Sequence, residues 1–174
     1  MTVDRRAWFE REFASGLPAW MFPNVIERLR GTPARVADVT RPLAPGVLAR
    51  RDGERWSIQE HVGHLLDLGR LDLARVEDFK AGREVLAAAD VGNRKTHEAR
   101  HNERDFAGLL DAFRAERAEF VRRLEEFDEE TLARTSLHPR LRQPMRPADF
   151  AYFVAEHDAH HLAAISELIR KFAS

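Results

Sequence analysis

Cysteine is absent from the 174-residue chain, which excludes disulfide frameworks, thiolate metal ligands and a cysteine nucleophile. Any transition metal in this protein must therefore be bound by imidazole and carboxylate groups. Disulfides are not needed for stability, because a chain of this length buries on the order of 70% of its unfolded surface. We expect a single domain spanning residues 1–174, folded in a reducing compartment.

Long apolar runs and an excess of one charge are also missing. No stretch approaches the roughly 18 apolar residues of a membrane span, and residues 1–10 lack the apolar segment of a signal peptide. The 28 Lys and Arg residues balance 29 Asp and Glu residues, so no global field attracts nucleic acid or an anionic membrane. We therefore predict a soluble, cytoplasmic protein that binds neither nucleic acid nor membrane.

Apolar residues recur at helical spacing in four long stretches, without a credible strand run between them. The first begins near Phe22 and meets a helix-start signal at Thr32 and Pro33, where we expect the helix to break and restart. The second begins at a capping box formed by Ser57 and Glu60 and runs to about residue 82. The third opens near residue 102, and the last opens at a first-turn proline, residue 147.

The connections between these stretches are long. Residues 41–55, 84–101 and 136–146 are predicted loops, the second with a turn of helix, and residues 128–132 are predicted to form a one-turn helix. No repeat with a period of 20 to 50 residues is present. Together the patterns predict an all-α four-helix bundle, and the long connections allow an order other than simple up-down.

Two histidines interrupt the apolar stripe of the last helix. His157 and His161 lie between Val154 and Ile165 at positions i and i+4, so their side chains leave the same face about one turn apart. A single core histidine is ordinarily satisfied by one hydrogen-bond partner. A pair at this spacing can instead chelate one metal ion.

A catalytic metal site usually has three protein ligands and one position open to water or substrate. In a bundle, the third ligand can come from a facing helix at similar depth. His61 and His64 are the histidines of the second helix. Periodicity does not choose between them, although His61 lies slightly nearer the centre of the apolar face.

Arg117 is a further polar residue on an apolar face, four residues after Phe113 and seven before Leu124 in the third helix. An unpaired buried guanidinium is very costly, so Arg117 must contact a carboxylate, a ligand anion or water. The structural alternative is a long stem that extends to the end of the bundle. If Arg117 points toward a metal cavity, it could bind a substrate carboxylate in bidentate fashion.

Three motifs in this order are similar to those of the DinB-like (DinB/YfiT) superfamily: Trp-Ser-x-x-Glu-x-x-x-His-Leu at residues 56–65, His-Pro at 138–139 and Glu-His-Asp-Ala-His-His-Leu at 156–162. The resemblance covers nearly the whole chain. It implies a four-helix bundle that holds one divalent metal through three histidines, one on the second helix and two on the last. Matched residue by residue, these ligands are His64, His157 and His161, which leaves His61 and His160 as neighbours.

The enzymatic members that this chain resembles are metal-dependent transferases of low-molecular-weight thiols and a thiol-dependent maleylpyruvate isomerase. The resemblance implies one divalent metal, with zinc or nickel favoured over iron or manganese, and a transferase or hydrolase acting on a small molecule. A bound cation lowers the pKa of a coordinated thiol or water, which suits both reactions. The alternative is a non-catalytic bundle in which the metal provides stability or a binding surface.

Two further expectations concern the neighbourhood of the site and the assembly. Asp158 follows His157 where the metalloprotease pattern His-Glu-x-x-His has glutamate, but its side chain is one methylene shorter, so we do not infer a peptidase. It remains, with Glu60, Asp67 and Glu156, a carboxylate close in sequence to the histidines. By analogy with similar proteins we expect a homodimer, which aromatic residues near the N-terminus could stabilise.

Overall fold

The computed structural model describes residues 5–172. In chain order its regular elements are α1 (Phe22–Thr40), α2 (Pro45–Leu48), α3 (Ile58–Lys80), α4 (Arg94–Glu98), α5 (Phe106–Glu125), α6 (Glu129–Ala133), β1 (Ser136–His138), β2 (Gln143–Met145) and α7 (Pro147–Phe172). Single turns of 3₁₀ helix cover Trp8–Glu10, Ala19–Met21 and His101–Glu103. None of the helices in this part of the chain is long and apolar enough to span a membrane.

The four long helices α1, α3, α5 and α7 form the bundle. Helix α1 packs mainly against α5 and α7, and α3 packs mainly against the same two helices. The first and second long helices therefore lie diagonally across the bundle, as do the third and fourth. The predicted four-helix bundle is confirmed, and its order is not the simple up-down order, in which consecutive helices are neighbours.

The capping box predicted at the start of the second long helix is confirmed. The hydroxyl oxygen of Ser57 accepts a hydrogen bond from the Glu60 amide at 3.0 Å, and the Ser57 amide donates to the Glu60 carboxylate at 2.9 Å. Arg51 also forms an ion pair with this carboxylate. Because the start of α3 is fixed in this way, the residues of its first three turns have a defined orientation.

The third long helix begins at Phe106, a few residues later than predicted. Asp105 caps it by accepting a hydrogen bond from the Gly108 amide at 2.7 Å. Asn102, near which the helix was expected to begin, instead accepts a hydrogen bond from the Ser57 hydroxyl at 2.6 Å. The connection before α5 is thus attached to the start of α3.

The predicted break at Thr32 and Pro33 is wrong, because α1 continues without interruption through both residues. The side chains of Thr32 and Arg35 both donate to the Arg28 carbonyl, each at 3.1 Å, and so reinforce the turn that precedes the proline. Apolar residues on both sides of Pro33 are buried against other helices. This packing outweighs the intrinsic cost of an internal proline.

The predicted loop at residues 136–146 contains an antiparallel hairpin, so the expectation of no strands is wrong here. Strands β1 and β2 pair Ser136 with Met145 and His138 with Gln143. Val85 adds an isolated parallel bridge to β1. Three-residue strands are too short for an alternating pattern to be visible in the sequence.

The bundle core is divided into two apolar clusters. One contains Val25, Leu29, Val76, Phe79, Phe120, Leu124, Phe150 and Val154, and the other contains Val36, Val62, Leu65, Phe113, Ile165 and Leu168. In each long helix, buried polar residues lie between the stretches that belong to the two clusters. Besides Arg75, His157 and His161, these intervals contain one from each helix: Thr32 of α1, Asp72 of α3, Arg117 of α5 and Asp158 of α7. We call these four residues the polar layer.

Candidate metal centre

Three histidines from α3 and α7 converge beside the bundle core. One ring nitrogen from each of His64, His157 and His161 lies within 4.8 Å of the other two. All three residues are buried, and the Nε2 atoms of His157 and His161 are 3.1 Å apart. The structure therefore brings together the three residues that the family resemblance named as metal ligands.

The environment keeps these imidazoles neutral. Burial lowers the pKa of His64 from 6.5 to about 4, against an opposing effect of Asp67. Burial and the neighbouring histidines lower the pKa of His157 and His161 well below 6.5. Neutral imidazole is the form that binds zinc and similar ions. Three such nitrogen donors, with no thiolate in the chain, fit a divalent transition metal.

His61 contacts a candidate ligand and does not belong to the three-histidine group. Its Nδ1 atom lies 2.8 Å from Nδ1 of His161, whose Nε2 faces His157. Burial and nearby positive groups lower the pKa of His61 to about 3, so this ring is also neutral. A hydrogen bond between the two Nδ1 atoms therefore holds the His161 ring and leaves its Nε2 available for an ion.

A chain of hydrogen bonds orients His64. Nδ1 of His64 lies 3.1 Å from the hydroxyl of Thr96 in α4, and this hydroxyl donates to the Asp67 carboxylate at 3.0 Å. Because the Thr96 hydrogen points toward Asp67, its oxygen accepts from Nδ1–H of His64, which leaves Nε2 with the free lone pair. Nε2 of His101 contacts the same Asp67 oxygen at 2.8 Å. Support of this kind fixes the orientation of metal-binding histidines.

The hydrogen-bond chain depends on close packing at Gly63. A Cβ atom at this position would lie 2.3 Å from the His101 ring, so only glycine allows the imidazole to approach α3 this closely. Burial by itself would raise the pKa of Asp67, but hydrogen bonds from His101 and Thr96 hold it below its ordinary value. The carboxylate is therefore ionised and able to accept both bonds.

Two tryptophans cover the histidine group. The Trp56 ring centroid lies 4.8 Å from that of His64 and 6.1 Å from that of His161. Trp8, in the N-terminal segment, lies 4.8 Å from His157 with its ring nearly perpendicular. The Trp56 ring also contacts that of His61, with the centroids 5.7 Å apart. The indole rings shield one side of the site from solvent.

A cavity of about 570 Å³ opens beside the histidines. The three candidate ligands and His61 line it together with apolar side chains that include Leu68, Leu71 and Phe153. Its volume and its mixture of apolar walls with a few polar groups are typical of a small-molecule site. The open side of the candidate metal centre therefore faces a space of substrate size.

The charged or polar residues of the cavity wall that have no role in the sequence analysis include Asp72, Arg75, His138 and Arg140. Asp72 and Arg75 interrupt the buried face of α3 between Gly69 and Val76. Two charged residues on an apolar helix face are a signal in the sequence that could have identified them. Burial raises the pKa of Asp72 to about 6, although Arg117 and Arg75 lower it. Its carboxyl can therefore gain or lose a proton near neutral pH.

Arg117 pairs with Asp158 inside the bundle. Its guanidinium donates to the Asp158 carboxylate at 3.0 Å, and both side chains are almost completely inaccessible to solvent. The guanidinium also contacts the rings of Phe113 and Phe120. Neither charged residue lines the cavity described above. Contact of Arg117 with a substrate anion stays a prediction, and its partner in the structure is a protein carboxylate.

The other charged residues near the motif histidines have structural partners. Glu156 accepts hydrogen bonds from Arg11 at 2.6 Å and from Arg28 at 2.8 Å. His160 contacts the Arg5 guanidinium at 2.7 Å. The contacts of Arg5 and Arg11 attach the N-terminal segment, which carries Trp8, to α7.

The chain belongs to the DinB superfamily, whose family model matches residues 28–165. This match confirms the family resemblance carried by the motifs. No curated protein sequence matches the chain.

Two solved structures are similar to this fold. YfiT from Bacillus subtilis, described as a probable metal-dependent hydrolase with an unusual four-helix bundle topology, superimposes with a TM-score of 0.75 at 20% identity and 94% coverage of both chains. A mycothiol-dependent maleylpyruvate isomerase superimposes with a TM-score of 0.68 at 11% identity, over 86% of this chain and 61% of the isomerase. At these identities the comparisons establish the fold.

Proposed function

We propose that this protein is a divalent-metal-dependent enzyme that acts on a small molecule, with the ion held by His64, His157 and His161. The observation that carries the proposal is the convergence of these three buried, neutral imidazoles at the wall of a substrate-sized cavity. A purely structural histidine needs one hydrogen-bond partner. Three ring nitrogens facing one another are better explained by a shared ion.

The reaction class that we propose is transfer to a low-molecular-weight thiol or hydrolysis. A divalent ion at this site would lower the pKa of a thiol or water and supply a nucleophile near neutral pH. The two proteins of similar fold, a probable metal-dependent hydrolase and a mycothiol-dependent maleylpyruvate isomerase, are compatible with these two choices. Zinc or nickel suits three imidazoles best, and iron or manganese would also accept them.

The residues of the chain itself have separable roles in this proposal. His61 and the Thr96–Asp67 pair hold the ligand imidazoles in fixed orientations. Trp8 and Trp56 exclude water from one side of the site. Asp72, with a pKa of about 6, can hold or release a proton at the cavity wall.

Metal content of the purified protein tests the proposal. We expect about one zinc, nickel, iron or manganese ion per chain, a higher melting temperature when metal is added to stripped protein, and a sharp loss of metal in His161→Ala. The matched control is His97→Ala, which removes an exposed imidazole outside the group. A metal-free protein whose melting temperature does not respond to added metal would remove the basis of the proposal.

The alternative function is a non-catalytic bundle stabilised by metal. One observation favours this alternative: the three candidate ligands lie on two helices, so a bound ion would connect α3 with α7 and strengthen the bundle. Turnover separates the two functions. The enzyme should act on members of a panel of thiol acceptors and hydrolysable esters or amides, and His161→Ala should abolish that activity, whereas the structural bundle should show metal-dependent stability alone.

The number of domains, the cellular location and the oligomeric state also stay predictions. We propose a single domain and a cytoplasmic location on the grounds of length and the lack of cysteine. For the homodimer, the exposed rings of Phe9 and Trp20, which are 58% and 71% accessible, are candidate contact residues. Sedimentation of the purified protein measures its mass in solution, and replacing both rings should shift a dimer toward monomer.

A further inference from the structure

His138, at the end of β1, presents a hydrogen-bond donor that no described residue accepts. Its Nδ1 atom accepts a hydrogen bond from the Leu141 amide at 3.3 Å within the hairpin turn, so the hydrogen of the neutral ring resides on Nε2. The residue is 2% exposed and lines the cavity. Nε2 is buried, and within residues 5–172 it has no hydrogen-bond partner. Burial, together with Arg75 and Arg140, lowers the pKa of His138 to about 3, so the ring stays neutral.

Arg140, two residues further along the hairpin, presents a second such donor. One terminal guanidinium nitrogen is buried and lacks an acceptor among the described residues, and the side chain forms no ion pair in that part of the chain. The guanidinium carbon lies 5.3 Å from the ring of Phe9, 5.7 Å from Phe153 and 6.0 Å from Trp8. These rings hold the guanidinium but carry no negative charge.

Arg75 of α3 adds positive charge at the same cavity wall. Its Nε atom donates to the Ala87 carbonyl at 2.9 Å, and it too forms no ion pair with a described residue. Asp72 partly offsets the charge of Arg75. Burial lowers the pKa of Arg140, and no carboxylate of a described residue raises it. The charge of Arg140 is therefore the least compensated at this cavity.

Arg117 also has buried nitrogens without partners between residues 5 and 172, but it lacks the features of a binding group. It is already paired with Asp158 and does not line the cavity. His138 and Arg140 differ because both line the cavity and both contact Phe153, at 4.9 Å and 5.7 Å. A desolvated donor is costly unless an acceptor meets it, and a desolvated cation requires that the acceptor be negatively charged.

We propose that His138 and Arg140, supported by Arg75, form an anion-binding subsite that receives a carboxylate or phosphate group of the substrate. This inference rests on the proposed function and narrows its substrate class to small anionic molecules. Trp8 lies between the subsite and the histidines, since its ring contacts both Arg140 and His157. An anionic group held by Arg140 would place the rest of a small substrate along the cavity toward the histidine group.

Calorimetric titration of the full-length protein, stripped of metal and after addition of zinc, tests the subsite with three probes of similar shape. Benzoate carries a carboxylate, phenyl phosphate carries a phosphate, and benzamide is the neutral equivalent of benzoate. We expect at least one anion to bind about tenfold more tightly than benzamide, because hydrogen bonds to a charged group are worth more than neutral ones. The tighter anion identifies the group that the subsite accepts.

The decisive variant is Arg140→Gln, which we expect to weaken binding of the preferred anion by about tenfold. Arg142→Gln makes the same charge change at an exposed position of the same turn and should leave the affinity unchanged. Circular dichroism verifies that both variants are folded. If Arg140→Gln is not folded, the affinities of the unmodified protein for benzoate, phenyl phosphate and benzamide decide whether the subsite prefers anions.

Two results would overturn the subsite: anions that bind no more tightly than benzamide, or a folded Arg140→Gln that retains the full affinity. Either result can be obtained whether or not the protein binds a metal ion, so the subsite and the metal centre are tested separately. Failure of the metal centre is seen as missing metal in elemental analysis. Failure of the subsite is seen as missing anion selectivity in protein with or without zinc.

Discussion

Glu116 is an acidic residue of α5 whose two carboxyl oxygens are buried without a hydrogen-bond partner in the described structure. Its carboxyl group packs onto Gly69 of α3, where a Cβ atom would lie 2.0 Å from the Glu116 carboxyl carbon. Burial raises its pKa from 4.5 to about 7, although Arg117 lowers it. We therefore predict that Glu116→Gln stabilises the protein at alkaline pH and has much less effect at acidic pH.

The sign and size of this effect follow from the pKa. Well below pH 4.5 the carboxyl is largely protonated in both folded and unfolded chains, so ionisation adds little difference between wild type and variant. As pH rises above 4.5 the unfolded chain ionises first, and the wild type loses stability until the folded chain also ionises at about pH 7, whereas glutamine has no proton to lose. At roughly 1.4 kcal/mol per tenfold change in proton affinity, the values 4.5 and about 7 correspond to up to about 3 kcal/mol.

Urea unfolding of both proteins at pH 5, 6, 7 and 8, at constant metal content, measures this difference. At pH 8 the variant should unfold with a free energy up to about 3 kcal/mol higher, or a melting temperature roughly 6 to 12 °C higher. Glu119→Gln is the control on the same helix. Hydrogen bonds from Arg122 and Arg123 lower the pKa of Glu119 to about 2, so its replacement should bring no gain between pH 5 and 8. An advantage of Glu116→Gln that is equal at pH 5 and pH 8 would refute the reasoning.

Three further predictions concern the metal centre and the core. Asp67→Asn should weaken metal affinity about 10- to 100-fold in a chelator competition, since it disturbs the hydrogen-bond chain behind His64; an unchanged affinity would show that the chain is not required. Because the pKa of His64 is lowered to about 4, metal content after dialysis should persist at pH 6 and fall toward pH 4; half-loss near pH 6.5 would contradict this. Arg117→Met should lower the free energy of unfolding by about 3 to 5 kcal/mol, and adding Asp158→Leu should recover most of this loss. If the losses of the two single variants add in the double variant, the two residues are not a coupled pair.

The long helices could be predicted because their signals are local and repeated. The capping box at Ser57 and the first-turn proline at residue 147 both lie where the helices begin. Failures occurred where a distant contact outweighs a local preference. Packing on both sides of Pro33 keeps α1 continuous, and the short hairpin is stabilised by pairing that the sequence does not display.

The candidate site shows the same division. The spacing of His157 and His161 indicates a chelating pair, but periodicity left His61 and His64 equivalent, and only the family motif separated them. Thr96 could not be found, because it lies in a segment with weak apolar content and acts through a bond across 32 residues. The sequence does not show that His138 and Arg140 have hydrogen-bond donors that no described residue accepts. This can be seen only in the structure, where the distance from each donor to every described acceptor is known.

The polar layer also bears on how the bundle chooses one arrangement. Apolar side chains tolerate sliding, because a helix displaced by one turn, about 5.4 Å, still finds apolar neighbours. Displacement of α5 or α7 by one turn would separate Arg117 from Asp158 and so break a buried ion pair. We therefore expect the layer to specify axial register. The Arg117→Met and Asp158→Leu double variant should keep its helix content but show several sets of amide resonances. A single sharp set would show that the apolar clusters determine the register without the ion pair.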